Sequence, residues 1–94
     1  MGVVTFKLKA PAGGISNVDI EALDGMPSKI TLINDGDSDT ITFLDTGLFP
    51  VDISGVAPAA GNANIEFSGD VDPTADDVNG PGPIAPHPVI LSVK

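Results

Sequence analysis

Val3-Val4-Thr5-Phe6-Lys7-Leu8-Lys9-Ala10 decides the fold class, because Val4, Phe6, Leu8 and Ala10 alternate with Val3, Thr5, Lys7 and Lys9. A period of two is the signature of a strand with one buried and one wet face. Pro11-Ala12-Gly13-Gly14 ends the run, since proline offers no ladder donor and the glycines permit a reversal. A second alternation sets Val18, Ile20 and Ala22 against Asn17, Asp19 and Glu21, and Gly25-Met26-Pro27 breaks it. Helices are not expected: 11 Gly and 9 Pro interrupt every window long enough to carry a 3.6-residue apolar repeat.

The stretch Lys29 to Leu44 reads as a hairpin. A tight turn on Asp35-Gly36 would set Leu32 opposite Asp39 and bring Asp37 onto the face of Ile30, burying carboxylates. A wider loop over Asn34 to Asp39 instead pairs Leu32 with Ile41 and Ile30 with Phe43. The wider register is expected, because desolvating charge costs more than a favourable two-residue turn gains. It leaves Asp35, Asp37 and Asp39 at a solvated loop tip.

Further strands are expected at Leu48 to Ile53 and Asn64 to Phe67, with a loop over Gly55 to Asn62. From Ser68 to Pro88 the alternation disappears. Asp70, Asp72, Asp76 and Asp77 precede Pro81, Pro83, Pro86 and Pro88, a composition that favours a stiff, extended, partly polyproline arm. Val89-Ile90-Leu91-Ser92-Val93 then reads as a strand. The organisation expected is a β core over 1–69, an acidic then Pro-rich extended segment over 70–88, and a C-terminal strand over 89–94 that belongs to this domain or to a neighbouring subunit. As a whole the chain reads as a small sandwich or partly open barrel of about six short strands. The four arm prolines, with Val89, Ile90, Leu91 and Val93, are the candidate interaction residues, docking on a neighbour as added sheet.

Composition limits function. The 94 residues contain no Cys, Trp, Tyr, Arg or Gln and one His, with 13 Asp and Glu against 4 Lys. A net charge of −9 repels nucleic-acid backbones and anionic lipid surfaces, so neither is an expected partner. The first residues have neither the basic region nor the long apolar stretch of a signal peptide or membrane span. Without disulfides and with only Phe6, Phe43, Phe49 and Phe67 as aromatic residues, the core is expected to be thin, which argues for a homo-oligomer.

Few residues point to chemistry. Asp45-Thr46-Gly47 follows an apolar strand and resembles the active-site triplet of retroviral aspartic proteases, dimers in which each subunit supplies one aspartate to a shared pair. The flap and the later apolar-apolar-Gly motif of that family are missing, and a strand-ending turn is the simpler reading. Asp35, Asp37 and Asp39 have the spacing of the first three EF-hand ligands, but Thr40 and Thr46 stand where that loop needs Gly and Glu. His87, between Pro86 and Pro88, reads as a surface or interface residue. The serines lack a nucleophile-elbow context. No catalytic residue, cofactor or metal is therefore assigned, and the chain reads as non-enzymatic.

The whole chain, about a hundred residues, Ala/Gly/Pro/Thr-rich, cysteine-free and acidic with extended terminal segments, resembles the small decoration, or cement, proteins of tailed-bacteriophage heads. That resemblance implies a structural protein on the virion surface, a homotrimer bound to the major capsid protein, stabilising the shell against internal DNA pressure. The alternative is a β-sandwich module of an adhesin, pilus or secreted polymer at the cell surface or outside the cell, stabilised by calcium in one version; a dimeric aspartic protease through Asp45-Thr46-Gly47 is a remote third.

Overall fold

The computed structural model describes residues 2–10, 16–57, 63–72, 74–78 and 82–94. These residues form nine strands and no helix: β1 (Gly2–Lys9), β2 (Asn17–Glu21), β3 (Gly25–Met26), β4 (Lys29–Leu32), β5 (Ser38–Phe43), β6 (Gly47–Ala57), β7 (Ala63–Gly69), β8 (Thr74–Val78) and β9 (Gly82–Val93). All pairs are antiparallel, in a five-stranded sheet of order β3-β5-β1-β7-β8 and a four-stranded sheet of order β4-β2-β6-β9. The architecture is a β-sandwich. The Pro11–Gly14 turn, residues 58–62 of the expected loop, and Pro81 lie outside the described residues.

The alternations set the two inner faces. Val4, Phe6, Leu8 and Ala10 from β1 and its C-terminal flank, and Val18, Ile20 and Ala22 from β2 and its flank, are all buried. Ile53, Ile65, Phe67 and Leu91 join them in one cluster drawn from both sheets. Phe6 meets Phe67 edge to face at 5.3 Å and 80°, the geometry that ring quadrupoles favour. Phe43 stacks on the half-buried Phe49 at 5.4 Å.

The expected hairpin is not one. Ile30, Leu32, Ile41 and Phe43 are buried as anticipated, but β4 pairs with β2 in one sheet and β5 with β1 and β3 in the other. Residues 33–37 are an arch between sheets. The Asp37 carboxylate accepts from the N–H groups of Ile33 and Asn34, each at 3.0 Å, while the Asp37 N–H donates to the Asn34 carbonyl at 2.9 Å. The Gly36 N–H donates to Leu8 O, and the Leu8 N–H to Asp37 O, both at 2.8 Å. On the other side the buried Ser16 hydroxyl donates to Ile33 O at 2.6 Å. Asp35 and Asp39 are exposed and Asp37 half-buried, and two of these carboxylates also bond backbone donors, Asp37 as above and Asp35 through Oδ1, which accepts from the Ala10 N–H at 2.7 Å.

The strand count exceeds six because the expected breaker Gly25-Met26 forms β3 and the stretch expected to be patternless supplies β8, while also extending the C-terminal strand back to Gly82. The expected extended Pro-rich arm is instead, from Gly82 onward, the longest strand among the described residues, paired with β6 from Gly47↔Val93 to Ala57↔Gly82. A boundary between 88 and 89 has no counterpart in the structure, since β9 runs through it. Pro83, Pro86 and Pro88 are compatible with this because β9 is an edge strand, where a missing donor faces no partner, and the register shifts between Ile53 and Gly55. Pro50 sits within β6, yet β2 pairs with β6 only over Asp52 to Val56, so no β2 partner is left unsatisfied.

Candidate functional site

The interaction residues expected at the C-terminus divide between two surfaces. Leu91 and Val93 are core residues, and Val89 is half-buried against the core. Pro83, Pro86, Pro88 and Ile90 are exposed. Ile90 pairs with Pro50, Pro88 with Asp52, and Ser92 with Leu48, so these side chains share the outer face of the four-stranded sheet. His87 lies opposite Ile53, half-buried, with its Nδ1–H donating to Ala85 O at 2.9 Å.

The acidic segment after β7 fastens one edge of the sandwich. Asp70 exchanges bonds with Val3: the Asp70 N–H donates to Val3 O at 3.0 Å, and the Val3 N–H donates to Asp70 Oδ2 at 3.0 Å. Val71, the next residue, bridges Val93, the Asp72 N–H donates to Ser92 O, and the Lys94 N–H donates to Asp70 O. The Lys94 ammonium pairs with the Asp72 carboxylate. Asp70 to Asp72 therefore joins β1 of one sheet to the end of β9 in the other. The Lys94 ammonium beside it, and then the Ser92 hydroxyl, hold the Asp72 carboxyl below its ordinary range, while the Asn34 and Ile33 N–H groups do the same for Asp37. Asp76 and Asp77 fall in β8. Among the described residues no three His, Cys, Asp or Glu side chains gather as a metal site would require.

The Asp45-Thr46-Gly47 triplet forms the exposed β5–β6 turn, and Gly47 has φ +131°, a conformation that suits glycine. Asp45 stands on the rim of a half-open groove of about 310 Å³ lined by Leu23, Asp24, Gly25, Met26, Leu44, Asp45 and Phe49. The β2–β3 turn makes one wall. There the Gly25 N–H donates to Ala22 O at 3.1 Å, closing a turn that turns Leu23 out to 86% exposure, with Met26 at 65% and Leu44 at 61%. Phe49, half-buried and stacked on fully buried Phe43, anchors the groove to the core. Leu48, 72% exposed, begins the outer-face patch just beyond the same turn.

Sequence reasoning missed this groove. Leu23 and Leu44 continue no alternation, and Met26 adjoins a proline; large apolar residues in turns were the available signal. No protein-family profile matches the chain, and neither a curated protein nor a solved structure does.

Proposed function

We propose that this chain is a non-enzymatic structural protein that stabilises a protein shell through subunit contacts, a viral capsid decoration protein on the virion surface. The observation that carries this reading is the apolar end of the sandwich, where Leu23, Met26 and Leu44 crowd one groove and Leu48 and Ile90 lie on the adjoining outer face. Exposed apolar clusters of this kind mark contact surfaces, and the acidic remainder keeps the free protein soluble. The resemblance to cement proteins supplies the expected assembly, a homotrimer on the major capsid protein. Contacts at the apolar end replace those the C-terminal segment was expected to make, since β9 completes this chain's own sheet.

The test is particle stability. Particles made without this chain should rupture at lower temperature than complete ones, with stability restored by adding the purified protein. Equal rupture temperatures would overturn the reading. A module of an adhesin, pilus or secreted polymer is the second reading, favoured by a core that closes within one chain. It predicts secretion and no particle association.

A further inference from the structure

The groove defines its own ligand chemistry. Its apolar side chains come from three places, the β2–β3 turn, the end of β5 and Phe49 on β6, and its two ionisable groups, Asp24 and Asp45, are both acidic and both exposed. The volume is at the small end of those that hold a complete small molecule, and the groove is half open. That shape suits one or two protruding side chains of a protein segment. With carboxylates on the rim, the segment that fits is apolar at its centre and cationic beside it, because Coulomb attraction then adds to burial and no carboxylate is left facing apolar surface.

A second copy of this chain does not meet that description. Its only cations are Lys7, Lys9, Lys29 and Lys94. Lys9 is paired with Glu66 and Lys94 with Asp72. Lys7 lies between the buried Phe6 and Leu8, and Lys29 beside the buried Ile30. Among the described residues, no lysine is adjacent in sequence to a large exposed apolar side chain. Two grooves facing each other would bring Asp24 and Asp45 of both copies together, a like-charge arrangement that disfavours the pairing.

We propose that this groove binds a segment of a different protein in which Leu, Ile, Met or Phe is flanked by Lys or Arg. The inference deepens the shell-binding reading by naming the chemistry of the partner, and it is tested without particles. A random peptide library is panned on the immobilised, folded protein, with Leu23→Ser, Leu44→Ser and Asp24→Asn/Asp45→Asn as comparison surfaces; these exposed changes leave the core intact, which thermal melts verify. The expected result is enrichment of peptides pairing a large apolar residue with Lys or Arg. Their affinity should fall about tenfold or more on each variant and weaken as salt is raised. Failure to enrich peptides, enrichment without cationic bias, or equal binding to the groove variants would overturn the proposal, as would self-association abolished by Leu44→Ser. Each of those failures leaves the particle-rupture test standing, since contacts through Leu48 and Ile90 do not depend on the groove.

Discussion

Leu32, paired with Val18 in the four-stranded sheet, and Ile41, paired with Val4 in the five-stranded sheet, close the core from opposite sides. The arch over residues 33–37 lies between them. In solution, interstrand backbone contacts by NMR should link Leu32 to Val18 and Ile41 to Val4. A Leu32 to Ile41 backbone ladder contact would restore the hairpin and contradict the sandwich. Replacing either residue by Ala should cost about 2–5 kcal/mol in denaturant unfolding, because both are fully enclosed.

Asp37 and Asp72 give the fold an acid limb. Both carboxyls are lowered from an ordinary value of 3.8, so the folded state favours their ionised forms. Their contribution is complete above the unfolded pKa of about 4 and is lost as pH falls through the lowered folded values. The stability difference between the native protein and Asp37→Asn should therefore be constant from about pH 7 to 5 and shrink below about pH 4. A difference that grows on acidification would show that the Asp37 carboxylate is not the acceptor described.

Gly55 has φ +119°, and a Cβ placed there would run into the carbonyl oxygen of Asn17 across the β2–β6 pair. Gly55→Ala should destabilise by about 1–3 kcal/mol from backbone strain, with further loss if the strands shift to relieve the clash. Thermal unfolding measures this directly. A neutral substitution would place Gly55 in an ordinary strand conformation.

Ending the chain after Gly80 removes all of β9. Leu91 and Val93 leave the core and β6 loses its partner over most of its length. Burial of each such side chain is worth about 1.5–3 kcal/mol in a fold whose total stability is typically about 5–15 kcal/mol. The truncated protein should lose cooperative unfolding by circular dichroism. A truncated protein that folds normally and loses only its association with partners would return β9 to the role of an arm docked on a neighbouring subunit.

The inner faces were legible because alternation reports which side chains are buried. Val4 to Ala10, Val18 to Ala22, and the set Ile30, Leu32, Ile41 and Phe43 were all read correctly from that period. Alternation carries no information about the pairing partner. Two strands facing each other across a sandwich bury the same residues as two strands side by side in a hairpin, so the period of two does not separate the arch from a hairpin; the pairing of β4 with β2 and of β5 with β1 does. The C-terminal strand was legible over Val89 to Val93, but its extension back to Gly82 was not, for a different reason. Prolines exclude a central strand but not an edge, and Pro83, Pro86 and Pro88 fall on an edge whose Ala85 and Pro86 accompany a register shift that breaks the period of two. The groove depends on where turns meet in space. No local pattern joins Leu23 to Leu44.

Electron microscopy of particles from the native source tests the central claim most directly, by locating the sandwich and its orientation. Density for the chain is expected at regular positions on the shell, with the Leu23, Met26 and Leu44 end turned toward its partner. Particles that lack the chain would show that it is not a shell-binding protein, and particles that carry it with this end in open solvent would show that it does not bind through this end.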